Sequence, residues 1–431
     1  MPVQVAELIE RVVGAHPPVA FEAYDGSRLG GDDAPATVVI RSPDALRRII
    51  TAPGELGLGR AYVAGDADIE GDIYAVLHLK EQLPSIKLRI SDVRAVLGLI
   101  GLSGLRPPAP PPEEARLRGL RHSRQRDAAA ISHHYDLSND FYRIVLGPAM
   151  TYSCAVWSST EGDLEDAQAA KHELICRKLD LRPGMRLLDV GCGWGSMLIH
   201  AAKYHGVDAV GVTISERQAA LGRERIEEAG VSDRVTIRLQ DYRDIDDGPY
   251  DAISSIGMFE HVGAAKLAEY FDGMHRLLRP AGRFLNHGIS RPPGDRSRFR
   301  RRGFIERYVF PDGELHEIGS VVSAIQRAGF EVRNVESLRE HYALTLRSWV
   351  HNLETRWADA VDVVGEGRAR VWRIYMAGSA VGFEDGGVQV HQTLAVRSDQ
   401  GRSGMALRPD WERQPLVTAV PVGTDQPVST G

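Results

Sequence analysis

The chain has 431 residues, of which 43% are hydrophobic and 26% are charged, and its formal net charge is −6 at pH 7. This length allows a catalytic domain with a smaller partner, and the acidic balance argues against nucleic-acid binding. Three cysteines without a CxxC pair argue against a disulfide framework and a structural zinc site, so we expect no metal. No apolar run reaches the roughly 18 residues of a membrane span, and acidic residues near the start argue against a secretory signal. We expect a cytoplasmic protein.

The first 105 residues predict a small mixed domain in which we find no chemical motif. Residues 37–42 predict a strand, and residues 43–50 predict a helix that begins behind Ser42 as its cap. Residues 106–130 combine prolines, which stiffen the backbone, with a run of charges, and this composition is typical of a linker. We therefore expect an N-terminal domain at 1–105 and an interdomain linker at 106–130.

From residue 131 onward, short apolar runs alternate with helical patterns. This alternation predicts an α/β domain with a doubly wound parallel sheet and helices on both faces. The predicted strands cover residues 185–190, 208–213, 234–239, 251–256 and 283–289. We expect the catalytic domain at 131–397, followed at 398–431 by a disordered tail because that segment is polar and rich in glycine, proline, serine and threonine.

The segment 187–195, LLDVGCGWG, is a predicted strand that runs into three glycines before a predicted helix. Such glycines permit a tight turn and a close approach of the backbone to a ligand. The third glycine comes one place too early for the dinucleotide fingerprint, and the next strand ends in Thr213 rather than near a ribose-binding carboxylate. The third strand ends at Asp241 and Tyr242, which offer a carboxylate and an aromatic face to adenine. The pattern predicts a pocket for an adenosyl group without a pyrophosphate.

Three further segments concentrate reactive side chains, namely HHYDLSNDFY at 133–142, TYSCAVW at 151–157 and SIGMFEHVG at 255–263. Together with the glycine loop and GVTISERQ at 211–218, they resemble the cyclopropane-fatty-acyl-phospholipid synthase family, which includes the mycolic acid cyclopropane synthases. The resemblance covers residues 131–396. It implies a Rossmann-like class I methyltransferase fold and S-adenosylmethionine as the methyl donor.

In that family a methyl group passes from S-adenosylmethionine to the cis double bond of an acyl chain, usually within a membrane phospholipid, and bound bicarbonate removes a proton. The resemblance places bicarbonate among Cys154, Glu260, His287, the backbone at Ile289 and Tyr342. It also implies cofactor contacts at Tyr152, Ser153, Gly191, Thr213, Gln218, Asp241 and Tyr242. The glycine loop adds Asp189, Gly193 and Gly195 to this set. Taken alone, Cys154 and Tyr342 could equally be residues of an apolar core.

The sequence departs from the common family pattern at two positions. Val156 stands where an aromatic residue normally follows the Cys-Ala or Cys-Gly pair, and Gly288 stands where threonine usually follows the histidine. Motifs such as FLNHGISRP resemble an actinobacterial branch that makes a methylene-branched chain, the precursor of tuberculostearate, which a separate reductase saturates. Because both outcomes share the methyl transfer, cyclopropane and methylene-branched products both stay open.

An enzyme that acts on bilayer acyl chains needs a basic and apolar surface. The arginine loop, residues 291–304, holds six arginines with Phe299 and Phe304, although a solvated loop is an equal alternative. The apolar run 95–105 could associate with lipid or form a core helix. We expect peripheral association with the inner face of the membrane, and we leave a homodimer and a partner reductase open. The alternatives are a methyltransferase for a small soluble metabolite and a non-catalytic lipid-binding protein.

Overall fold

The computed structural model describes residues 4–82, 106–115, 126, 138–294, 303–311 and 313–411. Several predicted features therefore lie outside the described residues: the apolar run 95–105, the pair His133 and His134, the centre of the arginine loop and the tail beyond residue 411. Residues 83–105 and 127–137 also lie outside the described residues, so the two predicted linker boundaries, at 105 and 130, stay predictions.

The N-terminal part contains a small sheet with its own apolar core. Its strands are β1 (Ala20–Ala23), β2 (Arg28–Leu29), β3 (Ala36–Ile40) and β4 (Ala67–Gly71), in the order β2-β1-β3-β4. Its helices are α1 (Val5–Val13), α2 (Pro43–Thr51), α3 (Glu55–Val63) and α4 (Ile73–Gln82). The hydroxyl of Ser42 accepts a hydrogen bond from the N–H of Asp44, so the predicted cap does begin α2.

The larger sheet contains all five strands that the sequence predicts. Its strands are β5 (Arg186–Val190), β6 (Asp208–Thr213), β7 (Val235–Leu239), β8 (Tyr250–Ile256), β9 (Leu278–Arg291), β10 (His316–Glu317), β11 (Glu331–Ser337) and β12 (Gln389–Val396). They lie in the order β11-β12-β9-β8-β5-β6-β7, and β10 pairs with β9. The strands β5 to β9 are parallel as predicted, whereas β12 is antiparallel to both β9 and β11. The sheet is therefore parallel over the predicted strands, and the unpredicted strands β11 and β12 add an antiparallel edge.

Helices cover both faces of this sheet. They are α5 (Asn139–Leu146), α6 (Leu164–Leu179), α7 (Ser196–His205), α8 (Glu216–Glu228), α9 (Leu267–Leu277), α10 (Phe304–Tyr308), α11 (Ile318–Arg327), α12 (Arg339–Thr355), α13 (Trp357–Val364) and α14 (Glu366–Glu384). Because side chains alternate between the faces of a strand, Leu187 packs with α6 to α8 while Leu188 packs with α9 and α11. This arrangement confirms the α/β fold of a class I methyltransferase.

Helix α14 joins the two sheets. Arg370 donates to the carbonyl of Tyr62 at 3.0 Å and to the carboxylate of Asp68 at 2.9 Å. Arg373 donates to the hydroxyl of Tyr62 at 3.0 Å. Since these guanidinium groups are largely buried, their contacts order α14 against the N-terminal part.

Parts of the predicted linker, tail and arginine loop pack on the protein. Glu114 is buried and accepts from Arg60 at 2.8 Å and from Arg307 at 2.6 Å. Trp411 packs against the core around α6. Phe304 is buried and stacks on Tyr308, so the expectation that this ring contacts a membrane was wrong. No helix among the described residues is long and apolar enough to cross a membrane.

Candidate active site

The loop after β5 has the backbone conformation that its glycines predict. Gly191, Gly193 and Gly195 have φ angles of 78°, 54° and 80°, which lie in the left-handed region that favours glycine. A Cβ atom on Gly195 would lie 3.0 Å from the side chain of Ile237, so a larger residue would crowd the turn. The loop therefore turns directly into α7 and leaves its backbone facing a pocket.

This pocket is lined by nine of the ten predicted cofactor residues: Tyr152, Ser153, Asp189, Gly191, Gly193, Thr213, Gln218, Asp241 and Tyr242. Gly195 is the exception, and its contribution is the turn itself. The five predicted catalytic side chains do not line this pocket. The cofactor site and the catalytic cluster are therefore adjacent but separate.

Local hydrogen bonds hold the polar groups of the pocket. The Asp189 carboxylate accepts from the hydroxyl of Ser254 at 2.7 Å, and its burial raises the pKa of Asp189 to about 6. Thr213 donates to the side-chain oxygen of Gln218 at 2.8 Å. Arg243 donates to both carboxylate oxygens of Asp241, at 2.8 and 2.6 Å. Each predicted contact thus has a fixed direction before a ligand binds.

Sequence reasoning missed the buried lysine of this pocket. Lys171 lies on α6, lines the pocket and is 1% exposed. Its ammonium donates to the hydroxyl of Ser153 at 3.0 Å. The only sequence signal is a lysine within a helix whose neighbouring residues are largely apolar, and such a lysine is ordinarily solvated.

Glu260 carries an unsatisfied carboxylate oxygen inside the protein. Its Oε1 accepts a hydrogen bond of 2.6 Å from the backbone N–H of Ile289, whereas its Oε2 is buried without a hydrogen-bond partner among the described residues. Burial raises the pKa of Glu260 to about 7. The neighbouring residues Met258 and His261 line the cofactor pocket, so this oxygen lies close behind the pocket wall.

His287 is held as a neutral imidazole. It is buried on β9, and burial lowers the pKa of His287 well below its ordinary value. Its Nδ1 lies 3.2 Å from the amide nitrogen of Gln392, whose oxygen in turn accepts from the ammonium of Lys178 at 2.7 Å. The lysine fixes which end of the amide faces the ring, so Nδ1 accepts and the proton is on Nε2.

Cys154 and Tyr342 connect to the same strand pair. The Cys154 thiol lies 3.6 Å from the carbonyl of Leu338, which also accepts from the backbone N–H of Tyr342 at 3.1 Å. The N–H of Leu338 donates to Val390 at 3.0 Å, and Val390 pairs with Ile289 across the sheet. The fold therefore connects all five predicted catalytic residues at one edge of the sheet, through β9 and β12.

Burial governs the chemistry of Cys154. The side chain is fully buried, and this burial raises the pKa of the Cys154 thiol well above its ordinary value. The thiol is therefore protonated at neutral pH. In this state it can donate a hydrogen bond, but it is a poor nucleophile.

Aromatic rings line the region between the cofactor pocket and Tyr342. Trp349 packs against Tyr152 of the pocket with 5.3 Å between ring centroids and against Tyr342 with 6.0 Å. Further rings of this cluster are Tyr142, Trp372 and Tyr375. These rings belong to an apolar core that packs beside the cofactor pocket.

One group of described side chains has donor atoms close enough to share a cation. The ligand atoms of Cys176, His200 and His205 lie within 4.8 Å of one another. Both imidazoles also contact one carboxylate oxygen of Glu173, at 3.2 and 3.0 Å, which accounts for their placement as a hydrogen-bonded network. That no metal takes part stays a prediction.

Comparison with known proteins agrees with this geometry. Residues 122–393 match the family described as mycolic acid cyclopropane synthetase. The chain is 46% identical over 422 residues to a probable fatty acid methyltransferase of Mycobacterium tuberculosis, covering 95% of this chain and 98% of that protein. It is 35% identical over 369 residues to the cyclopropane-fatty-acyl-phospholipid synthase of Escherichia coli, covering 84% of this chain and 88% of that protein.

A solved structure extends the likeness to the fold. The mycolic acid cyclopropane synthase CmaA1, complexed with SAH and CTAB, superposes with a TM-score of 0.59 at 35% identity. The match covers 62% of this chain and 97% of that one.

Proposed function

Because this chain belongs to the mycolic acid cyclopropane synthetase family of S-adenosylmethionine-dependent methyltransferases, we propose that it methylates the cis double bond of an unsaturated phospholipid acyl chain. Methyl transfer breaks the carbon–sulfur bond of the donor and forms a carbon–carbon bond, which leaves a carbocation on the acyl chain. Loss of a proton from the transferred methyl group then closes a cyclopropane ring, or, after a 1,2-hydride shift has moved the cation to the methyl-bearing carbon, gives a methylene branch. The cluster of aromatic rings between Tyr152 and Tyr342 supports an apolar acceptor such as an acyl chain.

The observation that carries the proposal is the buried Oε2 of Glu260, which has no partner among the described residues. Burying a polar oxygen without a hydrogen bond costs about 1–3 kcal/mol, and a group bound at this carboxylate would offset that cost. A partly protonated carboxyl group with a pKa of about 7 suits a small oxyanion, because it can either donate to it or accept from it.

The surrounding residues fit bicarbonate as that group. The Nε2–H of His287 and the thiol of Cys154 are both donors in their neutral forms, and Tyr342 adds a phenol. In this proposal Cys154, Glu260, His287, Ile289 and Tyr342 hold bicarbonate, which when bound would supply the base that removes the proton. A donor set without a full positive charge binds an anion and leaves its basicity largely intact.

Two positions near this cluster bear on the product. Val156 packs against the apolar core that contains Cys154 and Tyr342. Gly288 lies between His287 and Ile289, and a Cβ there would come 3.1 Å from Glu260 Oε1. Both residues are small where the family pattern has larger ones, although the ring of Phe259 fills the space beside Gly288. A changed shape around the cation can decide whether the ring closes directly or a hydride shift comes first. We keep cyclopropane and methylene-branched fatty acids as the two products of the proposal.

The proposed acceptor requires contact with a membrane surface, and we propose peripheral binding at the inner face. Of the arginine loop, the described Arg291 pairs with Glu317 at 3.0 Å and donates to the carbonyl of Leu315. Headgroup contacts are therefore assigned to the central arginines of that loop, which lie outside the described residues. A homodimer and a partner reductase stay proposals of the same kind.

The test is to incubate the protein with vesicles of dioleoyl phospholipid, bicarbonate and methyl-labelled S-adenosylmethionine, and to analyse the released fatty acids. We expect labelled acyl chains by mass spectrometry, with ring-proton or vinylidene signals in the proton NMR spectrum. Glu260→Gln, which keeps the acceptor for the Ile289 N–H, is the matched control and should form product at least tenfold more slowly. Transfer to a small metabolite with no labelled lipid, or full activity of the variant, would overturn the proposal.

A further inference from the structure

Two lysines on one helix differ in how the protein neutralises them. Lys171 and Lys178 lie two turns apart on α6, and both are buried. The ammonium of Lys178 forms an ion pair with Glu336 and donates to Gln392 at 2.7 Å. The ammonium of Lys171 donates to the hydroxyl of Ser153 at 3.0 Å and forms no ion pair with the residues that the structure describes. Among the described residues, a direct ion pair is therefore formed by Lys178 and not by Lys171.

An ammonium group carries three N–H donors, and burying its charge is costly unless a negative group accompanies it. Burial lowers the pKa of Lys171 to about 8, so the group is still mostly charged at neutral pH. The carboxylate of Asp189 is close enough to favour this charge, but its hydrogen bond comes from Ser254. Beyond the hydrogen bond to Ser153, the described residues therefore leave N–H donors of Lys171 without an acceptor.

The position of Lys171 indicates what matches them. Its side chain lines the cofactor pocket together with Ser153 and Asp189. Ser153, which accepts its hydrogen bond, directly precedes Cys154 in the chain. The ammonium therefore lies in the cofactor pocket on the side next to Cys154.

We propose that Lys171 forms an oxyanion subsite on this side of the pocket, in which its ammonium binds a carboxylate-type group. Two molecules supply this chemistry, namely the amino-acid carboxylate of the cofactor and free bicarbonate. The first source rests on the family assignment alone, whereas the second rests on the proposed function. A charge-assisted hydrogen bond in a water-excluded pocket is strong enough to dominate the affinity of either ligand.

The experiment measures binding, so that it does not depend on turnover. Calorimetry compares S-adenosylhomocysteine with 5′-methylthioadenosine, which lacks the amino-acid end, on the full-length protein and on Lys171→Met and Lys178→Met. Binding of ¹³C-bicarbonate, followed by NMR line broadening with S-adenosylhomocysteine bound, addresses the second source. The bicarbonate measurement needs the adenosyl site to be fully occupied. If calorimetry shows that Lys171→Met binds S-adenosylhomocysteine too weakly for this, the NMR experiment uses 5′-methylthioadenosine instead. Because failure to methylate lipid would overturn only the proposed function, the two proposals fail separately.

If the cofactor carboxylate is the ligand, Lys171→Met weakens S-adenosylhomocysteine by at least about tenfold and leaves methylthioadenosine within about twofold. If bicarbonate is the ligand, only its line broadening is lost. Lys178→Met should leave the affinity for S-adenosylhomocysteine unchanged, because its charge is matched within the protein. Unaltered binding of both ligands by folded Lys171→Met overturns the subsite. Should that variant fail to fold, Lys171→Gln removes the charge while keeping a polar group beside Ser153.

Discussion

The amide nitrogen of Gln392 lies 3.2 Å from Nδ1 of His287, and this contact orients the imidazole of the catalytic cluster. The two residues are direct partners across the β9–β12 pair, so the sheet register fixes their separation. Lys178 binds the oxygen of the same amide at 2.7 Å and prevents it from turning over. A charged residue on α6 thus sets the tautomer of a histidine that it does not touch.

Replacing Gln392 by leucine removes the donor to Nδ1 while roughly preserving volume. We expect kcat to fall about tenfold, corresponding to about 1.4 kcal/mol, because the ring loses the partner that keeps the proton on Nε2. The KM for S-adenosylmethionine should not change, since Gln392 does not line the cofactor pocket. Steady-state kinetics with labelled cofactor would measure both quantities.

The neighbouring Thr393 provides the control for that variant. Its hydroxyl is buried without a hydrogen-bond partner among the described residues, and it lies on the opposite face of β12. Thr393→Val should therefore retain full activity. Equal loss of kcat in both variants would show that the effect comes from disturbing the strand rather than from His287.

Glu260 should make the stability of the protein depend on pH. Burial raises the pKa of Glu260 from an ordinary 4.5 to about 7, so between these values the folded state binds more protons than the unfolded state. The free energy of unfolding therefore falls as pH rises from 4.5 to 7, by on the order of 3 kcal/mol from this group. Because other groups titrate too, the relevant quantity is the difference between wild type and Glu260→Gln.

Chemical denaturation at pH 5 and pH 8 would measure that difference. The Gln variant should gain stability relative to wild type at the higher pH, because its side chain has no charge to bury. A constant difference between the two proteins across this range would contradict the raised pKa.

The parallel strands could be predicted because they are short apolar runs, but β12 could not. Its sequence, QVHQTLAV, has the polar residues Gln392 and Thr393 in the middle, so it does not have the apolar pattern of a buried strand. Both residues are nevertheless buried. The partner of Gln392 that stabilises it, Lys178, is 214 residues away in the chain. Local pattern carries no information about such a contact.

The residues of the candidate site were likewise predicted only in part. Motifs and strand ends indicated Glu260 and His287, because side chains at the carboxyl ends of parallel strands meet at one edge. Lys171 was missed since a lysine in a helix ordinarily reaches solvent, and only the packing of α6 against the sheet buries it. Phe304 was misplaced for the opposite reason, because a ring among arginines was expected to be exposed.

The cysteines should be unreactive in the native protein. Cys154, Cys176 and Cys192 are all free and buried, and burial raises the pKa of each thiol. Since thiolate is the reactive form, we expect much less than one thiol per chain to react with a disulfide reagent at pH 8. All three should react after unfolding in guanidinium, which provides the internal control. Rapid modification of Cys154 in the folded protein would indicate a thiolate and argue against its role as a neutral donor.

Gly288 should tolerate no side chain. A Cβ there would overlap the ring of Phe259 and come 3.1 Å from Glu260 Oε1, so Gly288→Ala must displace the segment that carries the Glu260 carboxylate. We expect the free energy of unfolding to fall by about 1–3 kcal/mol, as for other overpacked cores, and activity to fall by more than stability accounts for.

Gly273 in α9 is the matched control for Gly288, because a Cβ there meets no atom within 4 Å. Gly273→Ala should raise the free energy of unfolding by up to about 1 kcal/mol through helix propensity and leave activity unchanged. Thermal unfolding and methyl transfer measured on both variants separate the two effects. Wild-type activity of Gly288→Ala would show that the close approach of β9 to Glu260 is not required for the reaction. Glu260 would then act without the hydrogen bond that it accepts from Ile289.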